Sequence, residues 1–194
     1  MPTGIALRDA RQVLFDAAER VLLDGGPSAL TSRAVTDKAG VAKGVMHRHF
    51  ADFDTFLTEL VLDRATRLDT QAAALHDAAG TGTVADTLTD TLIALFGPVT
   101  VAIVALVISR HGLRARLRQA GAARIPLLAE GTAMIASYLT TEQDLGRIAV
   151  DADIDTLAPT LIGAAHLLFT DRNSPPPDTA AVHKIVTTIM AGSA

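Results

Sequence analysis

From Arg8 to Asp24 the apolar positions Val13, Leu14, Ala17, Ala18, Val21 and Leu22 recur at spacings of three and four, which marks one face of a helix. Met1 to Leu7 before it reads as a frayed arm, and Gly25-Gly26-Pro27 ends it. Asp52 or Asp54 caps a later helix whose stripe is Phe53, Phe56, Leu57, Leu60 and Val61, predicted to continue to Ala79 before Gly80-Thr81-Gly82. Thr83 to Phe96 is a further amphipathic helix. Leu92 to Ser109 carries no charge, but Gly97-Pro98 divides it into pieces too short to cross about 30 Å of hydrocarbon. A buried helix from Pro98 is therefore predicted, since proline is tolerated in a first turn. Pro126 starts or kinks a helix reaching Leu139, and Thr140 to Asp153 reads as a polar connection. Asp155 to Thr170 is apolar nearly all round, which requires burial on more than one side. A proline-rich loop follows from Asp171 to Pro177. Asp178 caps a last helix striped by Val182, Ile185, Val186 and Ile189.

Composition sharpens this picture in two ways. Hydrophobic residues make up 49% of the 194, yet aromatics only 4%, so the core is built from Ala, Leu, Val and Ile, which favours an all-α fold. Cysteine is absent, which excludes disulfides and thiolate metal sites and fits a reducing compartment. With no secretory signal in the first ten residues, the cytoplasm is the expected location. The formal net charge of −4 argues against a protein that coats nucleic acid, though not against a local reader whose few cations lie near phosphate.

One stretch has the right local charge. Leu30 to Phe50 reads LTSRAVTDKAGVAKGVMHRHF, with Arg33, Asp37, Lys38, Lys43 and Arg48 giving net +3. Thr31 is a good N-cap for a helix over Ser32–Ala39. Gly40 can take the left-handed conformation that ends a helix, and Val41 plugs the angle that follows. A second short helix over Ala42–Phe50 sets Met46 and Phe50 on one side, with Lys43, Gly44, Val45, His47 and Arg48 on the others. Two short helices joined by a glycine turn, the second basic where exposed, describe a helix-turn-helix. The second helix is the one that enters a major groove.

The same residues carry a resemblance. Arg11 to Phe56 resembles the DNA-binding domain of the TetR family of bacterial transcriptional regulators, through Val13-Leu14-Phe15-Asp16-Ala17-Ala18, Gly25-Gly26, Leu30-Thr31, Ala39-Gly40-Val41, Lys43-Gly44 and His49-Phe50. His47 stands where the family usually has a phosphate-touching tyrosine, and Phe53 where many members carry a lysine; both departures bear on affinity more than on fold. The resemblance implies phosphate contacts from Thr31, Lys43 and His47. Charge alone adds Arg33 and Lys38. Base edges are expected to meet Gly44, Val45 and Arg48, where an arginine can bond a guanine and a valine can touch a thymine methyl. Arg8 and Arg11 read equally as phosphate contacts or as a solvated helix end.

The expected architecture is thus an N-terminal three-helix helix-turn-helix domain over 1–52 and a larger helical-bundle domain for ligand binding and dimerisation over 53–194. Apolar walls predict a lipophilic effector pocket near Val101, Ala105, Ile108, Met134, Tyr138, Leu161, Ala165, His166 and Phe169. His166 reads first as a core histidine bonded to a carbonyl and second as a ligand contact. Leu161, Ala165, Leu168, Val182, Ile185, Val186 and Ile189 are expected at a homodimer interface, which the resemblance also implies. Arg110, Arg114, Arg116, Arg118 and Arg124 occur with no acid between Asp90 and Glu130; they read as a solvated face, with an anionic ligand's entrance or DNA as the lesser alternative. His111 reads as a helix C-terminal residue. His47-x-His49 makes no metal site, because residues two apart on a helix face different ways, and no cofactor is implied. Catalytic motifs are absent, so an enzyme and a membrane-peripheral helical protein are the weaker classes. The expected function is a DNA-binding repressor released from an inverted-repeat, double-stranded operator by a small molecule, with an activator or effector-independent regulator on the same scaffold as the alternative.

Overall fold

The computed structural model describes residues 7–122, 124–171 and 175–191. Residues 1–6 of the expected arm, the Arg8 side chain and residues 172–174 of the proline-rich loop lie outside them. Eleven helices and no strand occur among the described residues: α1 Leu7–Ala29, α2 Ser32–Ala39, α3 Gly44–His49, α4 Phe53–Thr66, α5 Leu68–Asp77, α6 Val84–Leu95, α7 Pro98–Ser109, α8 His111–Gln119, α9 Leu128–Asp144, α10 Ile154–Thr170 and α11 Thr179–Met190. The all-α expectation holds. So do the stops and starts read from turn chemistry. Gly26 breaks the helical path of α1 at φ 70, ψ −173. Asp178 caps α11 as expected, accepting from the Ala181 amide, while Thr83 and Asp153, not read as caps from the sequence, cap α6 and α10 by accepting from the amides of Asp86 and Thr156.

Four local expectations are corrected. The stripe predicted to run unbroken from Phe53 to Ala79 divides at Arg67 into α4 and α5. α9 extends to Asp144, because Glu142 continues its buried side beyond Leu139. α3 starts at Gly44 rather than Ala42 and ends at His49, with Phe50 already extended. His111 opens α8 instead of closing the helix before it: the chain turns at Arg110 (φ −109, ψ 100), so the favourable dipole contact expected of a C-terminal histidine is not made.

By compactness the chain forms two units, Met1–Arg64 with Ala102–Ile125, and Ala65–Val101 with Pro126–Ala194. The first is cored by Leu14, Ala17, Ala18, Leu22, Leu30, Val35, Met46 and the ring of Phe56, and its α8 buries Leu113 and Leu117. In the second, α9 packs on α5 and α10 while α11 packs on α6 and α10. Gly131 marks where α9 passes closest to its neighbours. A Cβ there would lie 2.7 Å from Leu95 Cδ2 and 3.2 Å from Ile162 Cδ1. No single helix among the described residues is long and apolar enough to cross a membrane; α6 and α7 pass together only as a pair bent by 63°.

Candidate nucleic-acid interface

The site begins with the cap of α2. Thr31 (φ −129, ψ 157) accepts from the Ala34 amide at 3.1 Å, and the helix ends where Gly40 adopts φ 67, ψ 30. Gly40 N then donates to the Asp37 carbonyl and Val41 N to that of Thr36, which satisfies carbonyls left open at a helix end. No side chain would clash at Gly40, so the positive φ alone is what favours glycine there. Across the turn, Ser32 Oγ lies 3.1 Å from Met46 Sδ. Met46 and Phe50, 1% and 3% exposed, fasten α3 to the core. The opposite side of α3 is what remains free: Lys43, Gly44, His47 and Arg48 are exposed and Val45 is half-buried.

Phe50 enters a cluster of four rings that ties the reading helix to α1 and α4. It meets Phe56 edge-on at 5.0 Å and Phe15 at 5.8 Å, while Phe53 stacks on Phe56 at 5.6 Å. Arg11, read as a phosphate contact or a solvated end, is neither. Its guanidinium sits 4.6 Å above the Phe50 ring, donates to the His49 carbonyl and pairs with Glu59. A cation at the C-terminal carbonyls of α3 also suits that helix's dipole.

The arginine run was the less legible part. Arg110 donates to the Leu30 carbonyl at 2.8 Å and the Pro27 carbonyl at 3.4 Å, with its guanidinium 5.9 Å from the Phe53 ring. Arg116 reaches Asp52 Oδ2 at 2.9 Å and Thr55 Oγ1 at 3.2 Å. Asp52 is also the cap of α4, accepting from the Thr55 amide at 2.6 Å. Hydrogen bonds from the Thr55 backbone and side chain, with Arg116 adding to them, hold the Asp52 carboxyl below its usual range. Arg114 bonds the Ile108 carbonyl at 2.9 Å, while Arg118 and Arg124 are exposed. The missing acids between Asp90 and Glu130 were the available signal: partners had to come from far along the chain.

The remaining sequence-predicted residues divide. Arg33 is exposed and loosely paired with Asp37 at 3.5 Å, whereas the Lys38 amine is 2.7 Å from Asp24 and so turns toward α1. Of the expected pocket, Met134, Tyr138, Leu161 and Ala165 are buried in the second unit's own core, and Val101 is half-buried. Ala105, half-buried, and Ile108, exposed, belong to the first unit. Phe96 stacks on Phe169 at 5.6 Å and lies 6.1 Å from His166. His166 was expected to bond a carbonyl, but its buried Nδ1 has no partner, and burial holds the ring below the ordinary histidine pKa. Of the expected interface, Leu161, Ala165, Val182 and Val186 are at most 1% exposed in the single chain, because α10 and α11 spend those positions against α9 and α6. Leu168, Ile185 and Ile189 are half-buried, and neighbouring Leu167 is 74% exposed. No group of side chains suited to a metal ion occurs among the described residues.

A capped helix, a glycine turn and a short anchored helix with a free basic side define the helix-turn-helix class of DNA-binding regulators. Residues 14–60 match the family model of the bacterial regulatory proteins, tetR family, over the stretch in which Arg11 to Phe56 carries the resemblance. The whole chain shares the fold of solved regulators. The fatty acid degradation regulator FadR from Bacillus halodurans superposes with a TM-score of 0.71 at 14% identity, covering 93% of this chain and 94% of that one. FadR from Bacillus subtilis, in complex with stearoyl-CoA, gives 0.68 at 18% identity over 93% and 98%. A TetR-family member from Streptomyces coelicolor A3 gives 0.66 at 21% identity over 94% and 98%. No curated protein matches the chain by sequence.

Proposed function

We propose that the protein is a homodimeric repressor that binds an inverted-repeat operator and is released by a small lipophilic effector. The observation that carries this reading is the free face of α3, where Lys43, Gly44, His47 and Arg48 project opposite the buried Met46 and Phe50. Thr31 at the start of α2 and Lys43 at the start of α3 take phosphate, with His47 and Arg33 beside them, and Gly44, Val45 and Arg48 face base edges. Lys38 is the least suited of the set, since its amine already has Asp24. Residues 1–52 supply the reading head and 53–194 the effector and dimerisation functions. The stearoyl-CoA complex of the B. subtilis relative supports a lipophilic effector in that larger part. Such a ligand must favour the DNA-incompetent shape by about 5.5 kcal/mol to reverse a 1:99 equilibrium.

Lys43→Ala should weaken binding to all sequences alike and lower the salt slope by about one unit, whereas Arg48→Ala should cost about 1–3 kcal/mol and relax preference at one base pair per half-site. Selection of bound DNA from a random pool, followed by titration at several salt concentrations, measures both. Equal loss of specificity in the two variants defeats the assignment.

For the dimer, the exposed positions of α10 replace the buried ones as the contact surface. Leu167→Glu should convert a dimer to a monomer in sedimentation while leaving the helical content intact, since this residue contributes little to the chain's own core. An unchanged mass removes α10 from the interface.

A further inference from the structure

Three exposed side chains on or beside α3 can be cations: Lys43 just before its first residue, His47 one turn later, and Arg48 next to it. Lys43 and Arg48 are charged throughout the neutral range. His47 is the one of the three that gains or loses its proton there. Its ring is exposed and is not spent on the core, which α3 reaches through Met46 and Phe50.

Among the described residues no carboxylate bonds the His47 ring. α1 and α2 are the helices packed against α3. On α1, Glu19 and Asp24 pair with Arg64 and Lys38, and Asp16 accepts from Gln12. On α2, Asp37 lies with Arg33. Beyond α3, Asp52 and Asp54 share Arg116. The same two packed helices add the cations Arg11, Arg20, Arg33 and Lys38, and His49 follows on α3 itself, half-buried, with its carbonyl accepting from Arg11. Lys43 and Arg48 oppose a positive ring at position 47, while the C-terminal end of the α3 dipole favours one. The counter-charge that would fix the proton is thus left for a partner to supply.

We propose that His47 is a titrating phosphate contact, so that this chain holds DNA more tightly in mild acid with no effector involved. The inference rests on the reading of α3 as the face that meets DNA. An imidazole beside a phosphate keeps its proton more firmly than a free one, because the charged form gains a counter-ion. The sign follows by linkage. The gain is fully present below the ordinary histidine value of about 6.5, and it fades as pH rises through the higher, DNA-bound value.

The test is the affinity for a DNA fragment selected from a random pool, measured from pH 5.5 to 8.5 at fixed salt. Wild type, His47→Gln and His47→Lys are compared; the position is exposed, so all three should fold alike. Wild type should bind about eightfold tighter per half-site at pH 5.5 than at 8.5, beyond any change in His47→Gln, which is what a one-unit rise in an imidazole's pKa delivers. His47→Lys should keep the acid-side affinity across the range. The wild-type salt slope should steepen by about one unit per half-site on acidification, and that of His47→Gln should not. If DNA binds with one pH profile in wild type and His47→Gln, the inference is overturned while the reading of α3 stands. If none of the three proteins retains DNA at any pH, both fall together.

Discussion

Phe56→Ala is expected to destabilise the first unit by about 3–5 kcal/mol, the cost of removing a large side chain from a closed core. The residue has 0% exposure and contacts the rings of Phe15, Phe50 and Phe53. Because Phe50 is the last anchor of α3, the loss should reach the reading helix first. Urea unfolding followed by circular dichroism gives the stability, and hydrogen exchange at Val45–Phe50 gives the local effect. A loss below about 1 kcal/mol means the cluster repacks around the hole. Phe56→Leu, which keeps most of the volume, should recover more than half of the loss.

A comparable effect is expected at the other end of the chain, from charge instead of volume. Glu142 is completely buried, and its Oε1 accepts from the Gly80 amide at 3.1 Å and from Arg147 at 3.3 Å. Its Oε2 is 3.1 Å from the same guanidinium without a directed hydrogen bond. Arg147 also donates to the carbonyls of Thr81 and Gly82, so it closes the α5–α6 turn over the carboxylate. Arg147→Met strands a buried negative charge and should cost about 3–5 kcal/mol. The double variant Arg147→Met, Glu142→Met removes both charges and should regain most of that, since burying an ion pair is itself expensive. Urea midpoints of the two variants decide it: if the single change is mild and the double is worse, the pair is not held as described. Tyr138 belongs to this neighbourhood, and burial pushes its phenol up to about 12, so it stays a neutral hydroxyl across the working pH range.

What could be read from sequence divides along the same line as local and remote interactions. Thr31, Gly40, Asp178 and the paired Met46 and Phe50 act within a turn or two of themselves, so their roles follow from spacing and residue type. Arg11, Arg110 and Arg116 act on partners 38 to 83 positions away, and no local pattern announces that. The expected interface residues meet a different ambiguity. An apolar stripe on α10 or α11 says that a face is buried, but not whether its partner is the same chain or a copy. Leu161, Ala165, Val182 and Val186 found theirs at home. The same ambiguity touches the pocket, where Met134 and Tyr138 are core residues first.

The two arginines of α7–α8 have a consequence for anyone recombining regulators of this kind. Grafting residues 1–64 onto another scaffold would take Asp52 away from Arg116 and the Leu30 carbonyl away from Arg110. The transplant would also bare whatever α8 covers with Leu113 and Leu117. A working exchange has to carry two non-contiguous pieces, the leading 64 residues and 102–125, as a single module. Chimeras spliced at one point should misbehave through a loosened reading head even when their recognition helices are intact.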